Sequence, residues 1–345
     1  MSKYFEIKQL IKTDSRFIFP RHLKDIDLIN HSFTSRHNQN ITSHPNTGIS
    51  SRTFGSKLFV VEGQTAIFKT FDSKILSNVK EERINNEILC YHLAKRLGMN
   101  VAKCDYAHYD QYNGIISYNF LKENDKIVDG DTLLGINDSV FLETNTYFNY
   151  DLTLPQFAEL FGYKLDKKQI MFEIYQLLVF DFLTFQSDRN KGNVNFVISD
   201  NTLSFAPLFD NEFAFATMQL SKEKAENKTY ASCKEFIDNY TNSTIKMSVY
   251  GAQRLGYLKP YQEEAEDIVN LARKNPQYAE FLKKALSIDI SAVIYELVAT
   301  NQLKISPSHM ERCIKCFEMA SELIKNATKQ TSTQNIDKDE IDIQR

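Results

Sequence analysis

The sequence predicts an α+β fold in two lobes: a small, β-rich N-terminal lobe with one helix, then a larger, mostly helical lobe. Three observations predict it. Strand-like runs fill most of 57–121, and a single strong helical pattern, Val79–Leu97, interrupts them. Helical periodicity dominates from Leu154 onward. Between these regions, the alternating runs Val194–Ile198 and Leu203–Leu208 flank Ser199-Asp200-Asn201-Thr202 and read as a β-hairpin with polar loops at both ends. A chain of 345 residues can bury a core large enough for one large domain or two lobes.

In chain order, 1–47 reads as an extension. His31, His37 and His44 have no regular ligand spacing and His22 lies upstream, so His31–Asn46 is expected to be a solvated connector. Gly48–Phe71 begins with small and hydroxyl residues. It continues as two strand-like runs, Lys57–Glu62 and Thr65–Phe71, joined by Gly63-Gln64. In the second run Lys69 shares a face with Ile67 and Phe71. Val79–Leu97 carries apolar residues at Ile84, Ile88, Tyr91, Leu93, Ala94 and Leu97, with Gly98 placed as its C-terminal cap. Glu87 lies beside that apolar stripe. Val101–Tyr109 and Gly114–Leu121 read as a further hairpin through Asp110-Gln111-Tyr112-Asn113.

Lys122–Asp151 is polar and is expected to connect the lobes. Leu154–Leu165 suits a short helix begun at Thr153, with Pro155 in its first turn. Lys168–Phe185 is apolar almost all round, which predicts a buried helix leading directly to Asp188, with Asp181 capping or pairing structurally. Ser221–Tyr240 is a polar excursion with intermittent aromatics. Tyr261–Leu286, Ser291–Thr300 and His309–Asn326 have helical periodicity, with Pro260 and Pro307 at helix starts. Lys329–Arg345 has few large apolar groups and is expected to be a disordered tail.

Composition narrows the class. Hydrophobic content of 42% and charged content of 25% are ordinary for a folded, soluble protein. The formal charge of −3 gives no general attraction to nucleic acid or anionic membrane. Met1–Leu10 lacks an apolar core of the secretory kind, and no run approaches the ~18 apolar residues of a membrane span. A cytoplasmic location is therefore expected. The 5 cysteines cannot all pair as disulfides, and Cys313-x-x-Cys316 lies in a helical pattern without a second pair at zinc spacing. Helix or core cysteines are the expected reading.

The chemistry-bearing residues centre on the hairpin. Asp188, Asn193 five residues later, and Asp210 beyond the second strand could converge at one edge. Phosphoryl transfer of the protein-kinase type needs such a set: one carboxylate to take the acceptor proton, and an Asn and a second Asp to hold Mg²⁺ at the nucleotide phosphates. These are hard oxygen ligands, which Mg²⁺ prefers. Asp and Asn are also common turn residues, so the loop alone does not require catalysis. Lys69 on a strand and Glu87 on the following helix supply the pair that holds a lysine on the α- and β-phosphates, with Glu82 as a competing partner. The loop ahead of the first strands, with Gly55 and Ser56, could approach phosphate through its backbone N–H groups. By order along the chain, Ser117–Leu121 would lead into an adenine-binding hinge.

Ser187-Asp188-Arg189 with Asn193, followed by Ala206-Pro207-Leu208-Phe209-Asp210-Asn211, resembles the HipA-like serine/threonine kinases. Their usual pattern is DRHxxN followed by LAPLFD or LAPIFDN. The run NEILCYHLAKRLGMNVA also resembles the family's helix pattern, NExxxxxLAxxLGxxVA. Asn190 stands where the family pattern has His.

The resemblance implies a bilobal protein-kinase-like fold, with an N-lobe at 48–121 and a C-lobe at 122–328. It implies Asp188 as catalytic base, Asn193 and Asp210 as metal ligands, and ATP with Mg²⁺ as cofactors. The acceptor would be Ser or Thr of a protein substrate. It also implies a toxin restrained by a DNA-binding antitoxin, and autophosphorylation in the N-lobe loop, where Ser50, Ser51, Thr53 and Ser56 are available. A phosphate there would oppose ATP by adding charge of about −1.5 to −2. The region before 48 is too short for the separate subdomain of full-length members, which suggests a short form or a chain that borrows that module from a partner. Two further readings stay open: a lipid or small-molecule kinase, whose catalytic loop is similar, and a pseudokinase acting as a binding module.

Overall fold

The computed structural model describes residues 5–6, 57–61, 64–69, 77–109, 112–122, 124–134, 146–186, 189, 193–217, 235 and 261–343. The expected connector His31–Asn46 and, Glu235 apart, the polar stretch Ser221–Tyr240 lie outside them.

The first lobe holds a five-stranded sheet. Its strands are β1 (Phe5–Glu6), β2 (Lys57–Val61), β3 (Gln64–Lys69), β4 (Cys104–Tyr109) and β5 (Tyr112–Tyr118), in the order β1-β4-β5-β3-β2. All pairings are antiparallel except the parallel β1–β4 edge. Val61 pairs directly with Gln64, so Gln64 belongs to β3 rather than to the expected Gly63-Gln64 connection.

Between β3 and β4 runs α1 (Ser77–Leu97). Ile84, Ile88, Leu89, Leu93 and Leu97 bury its apolar side. Gly98 ends it at φ +78°, a conformation that costs a residue without a Cβ little. The Lys284 ammonium donates to the Leu97 carbonyl at 2.8 Å, so a cation also satisfies the negative end of the helix.

The stretch expected as a polar connection, Lys122–Asp151, carries regular structure among its described residues. It holds β6 (Lys126–Asp129), α2 (Gly130–Leu134) and the first turns of α3 (Thr146–Phe161). β6 is too short to show an alternation in sequence, yet Ile127 and Val128 are buried and the strand pairs with β8. α3 begins earlier than the expected start at Thr153, and Pro155 lies in its interior. Tyr150, Thr153, Leu154, Phe157 and Ala158 form its buried stripe, and Pro155 falls off that stripe, where one missing backbone donor is tolerable. The helix stops at Phe161, short of the expected Leu165. Gly162 follows at φ +68°, and Lys164–Leu165 becomes β7, parallel to β9.

The second sheet has the order β6-β8-β9-β7, with β8 (Asn195–Ser199) and β9 (Thr202–Phe205) forming the expected hairpin. Asp200 and Asn201 both have positive φ, as a two-residue type I′ turn requires. Behind the sheet runs α4 (Lys167–Leu183), capped by Asp166, whose carboxylate accepts from the Gln169 N–H at 3.0 Å. Nearly every side chain from Ile170 to Leu183 is buried, as the all-round apolar pattern predicts.

The helical remainder packs around α4. The periodic run Tyr261–Leu286 is two helices, α5 (Tyr261–Lys274) and α6 (Pro276–Leu286). Asn275 separates them and caps α6, whose first residue is Pro276. α7 (Ile290–Ala299) and α8 (Pro307–Ile343) follow. Tyr278 stacks on Tyr175 of α4, with centroids 4.3 Å apart. Cys313 and Cys316 are buried on α8, as expected. α8 continues through 329–343, where composition suggested disorder; no Gly or Pro in that stretch breaks the helix. Among the described residues, no helix is long and apolar enough to cross a membrane.

Gly114 on β5 is the tightest close approach in the first sheet. A Cβ there would collide with the Lys69 carbonyl oxygen and lie 2.9 Å from the Phe68 ring. Gly114→Ala is therefore expected to force β3 from β5 and lower stability by about 1–3 kcal/mol, measured by urea unfolding. An unchanged midpoint would contradict this packing.

Candidate active site

The site forms where the end of β3, the middle of α1 and the segment after β9 meet. Lys69 is the last residue of β3, and its ammonium donates to Asp210 Oδ1 at 2.7 Å and to Glu87 Oε1 at 3.5 Å. Glu87 Oε2 accepts from the Asn211 N–H at 2.8 Å. Three of the sequence-predicted residues, Lys69, Glu87 and Asp210, are thus brought together. The competing Glu82 faces elsewhere: it accepts from Arg312 of α8 at 2.8 Å, so Glu87 is the helix partner of Lys69.

The Asp210 segment is fixed by backbone bonds as well as by charge. Leu208 pairs with the stretch after α1, its N–H donating to the Asn100 carbonyl at 2.8 Å and its carbonyl accepting from Ala102 at 3.0 Å. Asp210 itself has φ +63°, and Gln186 Nε2 donates to its carbonyl at 3.3 Å. The carboxylate is thereby turned toward Lys69 rather than continuing a strand.

Arg189, the neighbour of Asp188 in sequence, is fully buried. Its guanidinium donates to both oxygens of Asp181, at 3.0 and 3.2 Å. It also reaches the carbonyls of Asn193 and Phe209, at 3.4 and 2.8 Å, and Asn211 Oδ1 at 2.7 Å. All five N–H donors of the fork are engaged. Asp181 pairs structurally, as expected, and one side chain ties the backbone of Asn193 to the segment holding Asp210. Asp188, Asn190, Gly55, and the loop hydroxyls Ser50, Ser51, Thr53 and Ser56 lie outside the described residues.

Sequence reading missed much of the polar face of α1. Glu82, Arg83, Asn85, Asn86 and Glu87 are all buried. Arg83 pairs with Glu212. Asn86 Nδ2 donates to the carbonyls of Glu212 and Ala214 and to Thr217 Oγ1, and its Oδ1 accepts from His309 Nε2 at 2.9 Å. The available signal was a polar cluster packed tightly between Val79 and Ile88 on a helix with both of its sides occupied.

Electrostatics follow from the crowding of charges. Burial alone would lower the Lys69 pKa, but Asp210, Glu87 and Glu212 outweigh it and hold the ammonium well above its ordinary value. Burial pushes Asp210 up, and the Lys69 charge at 2.7 Å reverses this to hold it below the usual carboxylate range. Glu87 stays raised because burial outweighs Lys69. Glu212 is pushed up to about 7, first by burial and then by the Asp210 charge, against the pull of Arg83.

Ligand atoms of Glu87, Asp210 and Glu212 lie within 4.8 Å of one another. Such hard oxygens, in excess of the cations facing them, fit a divalent ion of the Mg²⁺ type. With a strand lysine set against them, the arrangement can bind an anionic phosphate group and a cation side by side.

The sequence profile of the HipA-like C-terminal domain matches residues 53–286. Among solved structures, the chain is similar to CtkA, a proinflammatory kinase of Helicobacter pylori, at 16% identity over 84% of this chain and 95% of that chain, with a TM-score of 0.59. At that identity the likeness concerns the fold: a bilobal, kinase-like α+β architecture. A weaker likeness is to HipA of the Shewanella oneidensis MR-1 toxin–antitoxin system in complex with HipB and operator DNA. It has 17% identity over 93% of this chain and 75% of that chain, with a TM-score of 0.42. Hydra Fam20 with sugar gives 12% identity, 82% and 84% coverage and a TM-score of 0.39. No curated protein sequence matches.

Asp181→Ala would leave the buried Arg189 charge without its carboxylate. It is expected to cost about 3–5 kcal/mol in urea unfolding. A loss below about 1 kcal/mol would show that the guanidinium does not depend on Asp181.

Proposed function

The chain belongs to the HipA-like C-terminal domain family, and from that premise we propose that it is a protein kinase transferring the γ-phosphate of ATP to Ser or Thr. The observation that supports this most is the Lys69 ammonium held between Asp210 and Glu87, one residue each from a strand, a loop and a helix. A strand lysine paired with a helix glutamate and set beside a second aspartate is what phosphate positioning requires.

Each residue then has a defined task. Lys69 meets the α- and β-phosphates, and Glu87 holds it by bonding its ammonium with one oxygen and the Asn211 N–H with the other. Asp188 accepts the proton of the acceptor hydroxyl as the new O–P bond forms and the bond to the ADP leaving oxygen breaks. Asn193 and Asp210 would hold Mg²⁺, which would neutralise charge at the phosphates when bound with ATP. Arg189 orients this set without touching substrate. It anchors the chain next to Asp188 and fixes the carbonyls of Asn193 and Phe209.

The proposal extends to regulation. Ser50, Ser51, Thr53 and Ser56 precede β2, and phosphorylation of one of them would repel the nucleotide's own charge. Family membership further suggests a toxin whose partner is a DNA-binding antitoxin.

Incubation with γ-labelled ATP and Mg²⁺, followed by peptide mapping, tests the reading. The wild type is expected to incorporate label on Ser or Thr, and Asp188→Ala to slow this by roughly 10²–10⁴-fold. Equal labelling of the two would contradict the assignment of the base, and label on lipid but not protein would overturn the acceptor.

A further inference from the structure

Glu212 has no task in the mechanism above, yet it is set into the same site. The residue is 7% exposed. Oε1 accepts from Arg83, whereas Oε2 is buried with no hydrogen-bond partner among the described residues. A buried carboxylate oxygen left unpaired is costly, and a native site usually supplies it with a donor or a cation.

The charges do not balance either. When all three are ionised, Glu87, Asp210 and Glu212 face only the cations of Lys69 and Arg83, leaving one carboxylate uncompensated. Arg189 does not make up the difference, because Asp181 already pairs with it. Lys69 has a further conflict: an ammonium 2.7 Å from Asp210 is partly committed to that carboxylate and less free for phosphate.

We propose that Glu212, Asp210 and Glu87 form a seat for a divalent cation of the Mg²⁺ or Mn²⁺ class, additional to the Asn193–Asp210 pair and filled without nucleotide. This rests on the proposed function in sharing Asp210 and Glu87 with it. Two oxygens on opposite sides of such an ion lie about twice the metal–oxygen distance apart, roughly 4–5 Å. The three ligand atoms already lie within 4.8 Å of one another, so small side-chain shifts close the seat. The cation gives Glu212 Oε2 its missing partner and turns the excess of one negative charge into one positive charge, which suits an anionic phosphate. It also takes over part of the Asp210 charge, which releases Lys69 toward phosphate.

The test is a titration of the full chain with Mn²⁺ in the absence of nucleotide, counting free ion by electron paramagnetic resonance. The wild type is expected to bind Mn²⁺ at one site, Glu212→Gln to bind it at least tenfold more weakly, and Glu159→Gln, an exposed carboxylate of α3, to match the wild type within about twofold. Thermal melting of each variant reports its folding. If Glu212→Gln does not fold, Glu212→Asp, which keeps the charge but shortens the reach, is expected to show the same direction of loss. No Mn²⁺ bound by the wild type, or affinity unchanged in the Glu212 variants, would overturn the seat. Because no phosphate transfer is read, a protein inactive toward Ser and Thr could still pass this test, and an active kinase could fail it.

Discussion

A fully buried guanidinium is the constraint on which the site depends. Arg189 spends all five donors on groups from α4, from the start of the β8–β9 hairpin and from the Asp210 segment. Such a cation inside a core is tolerable only when its charge and its hydrogens are all answered, and two bonds to Asp181 with the three other bonds answer them. The consequence is positional. Arg189, which follows Asp188 in sequence, is held by five bonds, and the carbonyls of Asn193 and Phe209 converge on one of its nitrogens. A lysine at 189 could not reproduce this, because an ammonium has three donors and no planar fork.

The second constraint is α1, a helix buried on its polar side as well as its apolar one. Arg83, Asn86 and Glu87 reach the Asp210–Thr217 segment, while Glu82 and Asn86 reach Arg312 and His309 of α8. Arg312 in turn donates to the Phe215 carbonyl at 3.1 Å. Helix, loop and C-terminal helix are thus joined by charge-assisted bonds at low dielectric, where geometry is held strictly and an unpaired member is costly. Lys69 is set against a Glu87 that cannot swing away without breaking this network.

Much of the fold was legible because its periodicities are long. The seventeen residues of α4 and the run of α1 to Leu97 read as helices in sequence, and the hairpin carried its turn residues. Short or compensated elements were not legible. β6 has four residues and no alternation, and α3 carries a Pro155 that suggests a helix start rather than an interior. In the site, Lys69, Glu87 and Asp210 were found because they recur in a required order along the chain. Arg83, Asn86 and Glu212 were missed because each is an ordinary polar residue until its partner is known. Pairing across more than 120 positions, as between Arg83 and Glu212, leaves no local trace.

Diffraction from crystals grown with Mn²⁺ and a non-hydrolysable ATP analogue tests the central claim most directly, because anomalous scattering locates the metal independently of the nucleotide. The account predicts the β-phosphate within hydrogen-bonding distance of Lys69 and a Mn²⁺ peak in contact with Asp210. Nucleotide bound away from Lys69, or metal with no contact to Asp210, would contradict it.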